Sequence, residues 1–408
     1  MNAPVTSAMS GSVSYPRSGT RGRPLQLDTW LILVVAAILL VSAVMVTSAS
    51  ISIASKESGD ALYYLKRQVV FIILGSIGCG VMTRIPSVLW EKLQVPLLLA
   101  AFAMLIVVLI PGVGAVVNGS RRWIRLPMVN FQPSELSRVF ILMFIAGYVV
   151  RKQKELKTGF KAALFPLGVL AFASVLLLLE PDMGAATVLL AVGAGLLFLG
   201  GMQLRYFFMA ATGGVMALAM LMYFSPYRWK RATGFITPMD DPFGNSFQLV
   251  QSLVAIARGE LFGVGLGASV QKLFYLPEAH TDFVFAVFAE EFGFIGVLCL
   301  LTLFGIVVWR SLRIARAAME ASLPFQAFVA TAFGLWIGLQ AFVNIGVNMG
   351  ILPTKGLTLP MLSNGGSSLL VSLAWLGIVL RIGHEANLSG RSAMPRPAKT
   401  SGAAKVAK

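Results

Sequence analysis

The chain has 408 residues, of which 57% are hydrophobic and only 12% charged, with a mean hydropathy of +0.80. One soluble core of this length cannot bury so much apolar surface, so the bilayer must be the solvent. The formal charge of +16 is spread over short segments and not gathered in a soluble basic domain, which excludes nucleic acid as a partner.

In chain order, residues 1–27 are rich in Ser, Gly, Pro and Arg and read as a disordered tail, not a cleaved leader. A helix crossing the hydrocarbon needs roughly 20 mostly apolar residues. That criterion places spans at 28–49, 65–84, 92–111, 132–150, 161–180, 185–202, 206–224, 283–309, 324–348 and 366–384. The expected fold is an all-α, polytopic membrane helical bundle of about ten transmembrane helices, with membrane domain 28–386. A long outer loop, 225–282, joins helices 7 and 8, and a second disordered tail covers 387–408. With both termini inside, 20 of the 33 Lys and Arg but only 5 of the 17 acids fall on cytoplasmic segments. The positive-inside rule selects that orientation. Cys79 and Cys299 sit in apolar runs and read as packing residues. His280 and His384 are the only histidines, so no His-rich metal site is expected.

Two basic clusters break the rule on the outer side: Arg121-Arg122-Trp123-Ile124-Arg125 and Tyr227-Arg228-Trp229-Lys230-Arg231. Arg beside Trp at headgroup level can fork onto phosphates while the ring fixes its depth. Plain anchoring to anionic headgroups explains either cluster alone equally well. Together they favour an anionic lipid ligand. Within the long loop, Phe247, Val250, Leu253, Val254 and Ala257 recur at helical spacing, with Gln248 and Gln251 opposite, which predicts an amphipathic helix lying on the membrane or against the bundle. Gly263-Val264-Gly265-Leu266-Gly267 follows no strand and is not a dinucleotide loop.

Ionisable groups near or within spans are functional candidates by default. Asp282 closes the loop as Pro277-Glu278-Ala279-His280-Thr281-Asp282 and precedes an apolar helix. A carboxylate at a cavity edge suits a general base; equally, Asp282 or Thr281 could simply cap that helix. Glu290 and Glu291 lie deeper and require partners. Glu135 and Arg138, at i and i+3, are placed for an intrahelical ion pair. Glu180-Pro181-Asp182 marks a helix break whose acids can take free backbone groups. Residues 352–368 are dense in Pro, Gly and Ser and imply non-helical backbone at membrane depth. Close helix packing accounts for the small residues as well as ligand approach does. These features outline an outward polar site for an anionic lipid. They do not choose between moving it and reacting it.

The stretches NGSRRW (118–123), FQPSEL (131–136), EPDMGA (180–185), YLPEAHTDFVFAV (275–287), LPTKGLTLPMLS (352–363) and NGGSSL (364–369) occur in this order on the expected topology. With them the chain resembles the SEDS (shape, elongation, division and sporulation) family. EPD and LPTKGL are closer to its cell-division members than to its elongation members. Asn364 stands where the family commonly has Tyr, and Met183 and Ala185 depart from its usual residues.

The resemblance implies a peptidoglycan glycosyltransferase that polymerises lipid II, carried on undecaprenyl diphosphate, at the outer face of the cytoplasmic (inner) membrane during septal wall synthesis. It maps the essential aspartate onto Asp282, as the base for the acceptor hydroxyl, and a diphosphate-holding cation onto Arg138. Arg121, Arg122 and Lys355 are further cations for that task. Glu135, Ser363, Gly365 and Ser367 complete the substrate-binding set, with His280, Thr281, Glu180 and Asp182 in support. It implies a class B penicillin-binding protein of the FtsI type as transpeptidase partner, together with other membrane proteins of the divisome. No metal ligand set is implied, and a need for a divalent cation is left open. The alternatives are a lipid II flippase, an elongation-type polymerase of the same family and a non-catalytic scaffold. The gathering of intramembrane charge toward the outer half favours the enzyme.

Overall fold

A computed structural model describes residues 25–117, 119–125, 130–223, 234–244, 246–273, 275–353 and 356–393. Helices α1 (Thr29–Ser58), α2 (Tyr63–Met82), α3 (Ser87–Leu109) and α4 (Pro133–Arg151) open the bundle. A short α5 (Gln153–Thr158) leads to α6 (Lys161–Leu179), α7 (Met183–Leu199) and α8 (Leu204–Tyr223). After the loop helix α9 (Phe247–Gly259) come α10 (Val284–Glu320), α11 (Pro324–Asn348) and α12 (Gly366–Ala393). Each of the ten expected spans coincides with a helix. Among the described residues, eight helices are long and apolar enough to cross a membrane, and Met183–Leu199 is a shorter apolar one.

Asp28 starts α1 by accepting from the Leu31 N–H at 3.0 Å, and its carboxylate is forked by Arg310 from α10. Pro133 opens α4, where its missing N–H costs nothing. Helices α4, α11 and α12 are mostly buried and form the centre. Helix α2 packs along α12, α3 along α4 and α10 along α11, while α2 and α3 turn most of their side chains outward. That outward face is apolar, as lipid contact requires.

Three features differ from the sequence expectation. First, an antiparallel three-stranded sheet, β1 (Ala115–Val117), β2 (Ser120–Arg125) and β3 (Asn130–Phe131), precedes α4. Val117 pairs with Ser120, and the sequence between them, Asn-Gly, is a strong hairpin signal. Second, α9 buries Leu249, Val250, Ser252, Ala255 and Gly259, whereas Val254 and Ala257 are exposed. Of the two expected placements α9 takes the one against the bundle, and its buried stripe is rotated from the expected one because close approach selects its small residues. Small residues let its backbone approach α10, and the Ser252 hydroxyl donates to the Asn348 carbonyl at 2.8 Å. Third, α12 continues through 387–393, where a disordered tail was expected to begin, because Arg381, His384 and Glu385 anchor it. The cluster from Tyr227 to Arg231 and both outer parts of the tails lie outside the described residues.

Helix α10 is broken at Gly293, which has φ +66°. Across the break, loop and helix exchange backbone hydrogen bonds: Val264 to Glu290, Gly265 to Glu291, Phe294 to Glu260 and Ile295 to Leu261. A Cβ at Gly293 would lie 2.3 Å from the Gly263 nitrogen, so no larger residue fits this seam. Residues 284–291 before the break are buried, and the partners demanded by the two acids among them are present. Glu290 accepts from the Ser269 hydroxyl, the Val270 N–H and Arg258. Glu291 accepts from Ser48 at 2.6 Å and pairs with buried Lys272 at 2.8 Å. Both acids therefore fasten the long loop to the bundle.

Candidate active site

The loops α1–α2, α3–α4, α6–α7, α9–α10 and α11–α12 meet at one end of the bundle, opposite the end where the chain enters α1. There they enclose a cavity of 1190 Å³. Asp282, Thr281, His280 and Glu278 line it from one loop, Asp182 and Gly184 from the α6–α7 break, and Gly356, Thr358, Asn364 and Gly365 from the α11–α12 segment. Arg122, Trp123 and Gln132 line it from the hairpin and the start of α4, and Tyr64 and Arg67 from α2.

Asp282 is held by its backbone. Its carbonyl accepts from the Asn344 side-chain amide at 2.9 Å and from that of Asn348 at 3.1 Å. Asn344 also donates to the Leu357 carbonyl at 2.5 Å, and Gln340 donates to the Thr358 carbonyl at 3.1 Å. Gln340, Asn344 and Asn348 stand at i, i+4 and i+8 on one buried face of α11, so one helix fixes both loops that flank the carboxylate. A Cβ at Gly356 would come within 3.1 Å of Asp282 Oδ2, so a side chain there would press on the carboxylate. The N-cap position of α10 falls on Phe283, and the Thr281 hydroxyl turns back to Glu278, so Thr281 does not cap α10.

His280 packs at a tilt against Tyr64 with ring centroids 4.7 Å apart, and its carbonyl accepts from the Asn364 N–H at 3.0 Å. Burial holds the imidazole below the usual histidine range, against the opposing pull of Glu278 and Glu57, so it is neutral at pH 7. Its Nδ1 is buried without a hydrogen-bond partner among the described residues.

The remaining expected residues divide into those on the cavity and those beneath it. Residues 121 and 122 alternate across β2 and so part company. Arg122 faces the cavity and donates to the Glu180 carbonyl at 3.0 Å and to that of Pro181, while Arg121 donates to the Leu109 carbonyl at 3.0 Å. Arg138 is buried, ion-paired with Glu135, and lies over the Trp336 ring at 5.9 Å. It does not line the cavity, and neither does Glu135. Glu180 is fully buried, and neither of its carboxylate oxygens has a hydrogen-bond partner among the described residues. Asp182 caps α7 by accepting from the Ala185 N–H at 3.0 Å. Ser363 closes a turn by accepting from the Leu359 N–H, and Ser367 ties α12 to β3 through Gln132 and Asn130. These serines shape the rim. Gly365 lines it directly. Lys355 lies outside the described residues. Among those described, no group of three or more His, Cys, Asp or Glu is placed to hold a metal ion.

Sequence reading missed Arg67, Tyr64 and the three α11 amides. The amides carried a usable signal, since polar side chains repeated every fourth residue in a span are costly unless they have work to do.

Comparison with known proteins agrees with this architecture. A family model described as a cell cycle protein, covering FtsW, RodA and SpoVE, matches residues 28–388. The chain is 51% identical over 361 residues to "Probable peptidoglycan glycosyltransferase FtsW" of Halorhodospira halophila, covering 88% of this chain and 91% of the relative. It is 50% identical over 365 residues to the like-named protein of Thioalkalivibrio sulfidiphilus, covering 90% and 91%. Among solved structures it matches a chain of a peptidoglycan synthase complex that coordinates polymerization and crosslinking. The TM-score is 0.69 at 31% identity, covering 89% of this chain and 99% of that one. It also matches the rod shape determining protein RodA of Thermus thermophilus, with TM-score 0.63 at 30% identity, covering 88% and 97%. Matches over nearly the whole membrane domain, at half identity to FtsW proteins and under a third to RodA, place the chain in the FtsW, RodA and SpoVE family, on its FtsW side.

Proposed function

We propose that the chain is a peptidoglycan glycosyltransferase that polymerises lipid II on the outer face of the cytoplasmic membrane during septal wall synthesis, with Asp282 as its general base. The observation that carries this reading is that Asp282 and a guanidinium, that of Arg122, both line a single cavity whose loops are pinned by buried amides. Glycosyl transfer from a lipid diphosphate needs both groups. Asp282 takes the proton of the acceptor's sugar hydroxyl as that oxygen bonds to the donor's anomeric carbon. The carbon–oxygen bond to the diphosphate breaks, and the departing negative charge meets a preorganised cation at Arg122. Arg138, buried behind the wall and paired with Glu135, supports this surface from beneath and does not touch substrate.

The chain works beside a class B penicillin-binding protein of the FtsI type, which supplies the crosslinking that this membrane domain lacks chemistry for, and beside other division proteins at the septum. Both termini are cytoplasmic. A flippase would need a polar path through the bilayer. Here the ion pairs Lys272–Glu291 and Arg138–Glu135 are buried in packing, which favours the enzyme.

The test is polymer formation from lipid II by the purified complex with its penicillin-binding partner, for wild type, Asp282→Ala and Asp282→Asn. Wild type should make long glycan on a gel. Both variants should lose at least about a hundredfold in rate, the scale of general-base catalysis, while keeping the complex and its melting temperature. Full activity in Asp282→Asn, which cannot accept the proton, would remove Asp282 from the mechanism.

A further inference from the structure

Glu180 follows the last residue of α6, in the break that leads to α7, and no part of it is exposed. Neither oxygen of its carboxyl finds a donor among the described residues, although cations are near. Arg122 from β2 reaches this residue but spends its donors on the backbone carbonyls of Glu180 and Pro181. Arg138 from α4 spends Nε on the Ser134 carbonyl and Nη2 on Glu135. Asp182, the cap of α7, adds a like charge to the neighbourhood. A carboxylate buried without donors is costly, so the group keeps its proton. Burial first and Asp182 second push Glu180 up to about 9, against the pull of Arg122 and Arg138.

At pH 7, then, Glu180 adds no negative charge beside Arg122. An ionised Glu180 would oppose any anion drawn to that guanidinium. We propose that Glu180 is a positioning residue acting through Arg122: its backbone carbonyl anchors the guanidinium, while its uncharged acid leaves the positive charge unmatched for an anionic ligand. This rests on the glycosyltransferase reading, in which the anion is the donor's diphosphate. The coupling is reciprocal. If losing the Glu180 proton weakens the hold on the anion, binding the anion tightens the hold on the proton. Glu180 is uncharged below about 9, so affinity is full at pH 7 and declines as pH rises through that value.

The test uses the complex with its penicillin-binding partner in nanodiscs, with undecaprenyl diphosphate as the probe and calorimetry from pH 7 to pH 10. If the bound anion makes Glu180 hold its proton about tenfold more tightly, wild type should bind about fivefold more weakly at pH 10 than at pH 7. Glu180→Gln, which copies the uncharged acid, should match wild type at pH 7 and stay level to pH 10. At pH 9.5, in two buffers of different ionisation heat, wild type should take up about half a proton per ligand, a readout that needs no variant to fold. Constant affinity in wild type, no proton uptake, or the same decline in Glu180→Gln would each overturn the proposal. Lipid II polymerisation is assayed in parallel. A wild-type complex that makes no polymer strikes at the underlying activity, whereas binding without a link to pH strikes at Glu180 alone.

Discussion

At the scale of single residues, surroundings more than identity decide which charges can act. Arg121 and Arg122 are neighbours of one type, yet strand alternation sends one to a carbonyl of α3 and the other to the cavity. His280 shows the same dependence. Its folded imidazole is held below the ordinary 6.5 by burial. An unfolded or opened loop therefore binds a proton that the packed loop refuses. Stability is full above pH 6.5 and falls as pH drops from there toward the lowered folded value, with a slope of at most about 1.4 kcal/mol per pH unit. Thermal unfolding in detergent between pH 7.5 and 5.5 should show that decline. His280→Gln should flatten it, at the cost of the ring contact with Tyr64. A decline of the same steepness in the variant would assign it to other groups.

At the scale of elements, the site is assembled by α11. Removing the Asn344 side chain would strip donors from the Asp282 and Leu357 carbonyls together, the second of which is buried with Asn344 itself. A buried carbonyl left unpaired costs about 1–3 kcal/mol, although Asn348 still serves the first of the two. Asn344→Ala should therefore lower the melting temperature modestly. It should reduce kcat for lipid II polymerisation about tenfold or more, with KM nearly unchanged, because the loss is in the aim of the carboxylate and not in grip on the ligand. A raised KM with normal kcat would make Asn344 a binding residue. The elements themselves were largely legible in the sequence, since a run of about 20 apolar residues has few alternatives to a membrane helix. The hairpin was hidden because Arg-Arg-Trp-Ile-Arg was read for its charge, while the Asn-Gly ahead of it carried the fold. The face of α9 was misjudged because periodicity finds an apolar stripe but cannot tell lipid from protein. Ser252, Ala255 and Gly259 pack where close approach matters more than hydrophobicity.

At the scale of the whole molecule, the distribution of charge and the position of the cavity must agree. The site's residues were separated by up to about 300 positions in the chain, and sequence alone could name Asp282, Asp182 and Arg122 but could not bring them together. Nor could it push Arg138 beneath the wall, because that depends on how α4 rotates in the centre of the bundle. The proposed orientation rests on composition: it keeps 20 of the 33 basic residues on the side of the termini, and translocating them costs far more than retaining them. In that orientation the cavity, at the opposite end, opens to the outside. This can be checked with cysteines at an exposed cavity position and at an exposed position on the terminal side, in a background lacking Cys79 and Cys299. Glu278→Cys should react with a membrane-impermeant maleimide added to spheroplasts, and Glu320→Cys, at the end of α10, only after permeabilisation. Both residues are exposed, so the contrast reads sidedness and not burial. The reverse pattern would put the cavity on the cytoplasmic side, away from the wall, and no arrangement of Asp282 and Arg122 could then build glycan outside the membrane.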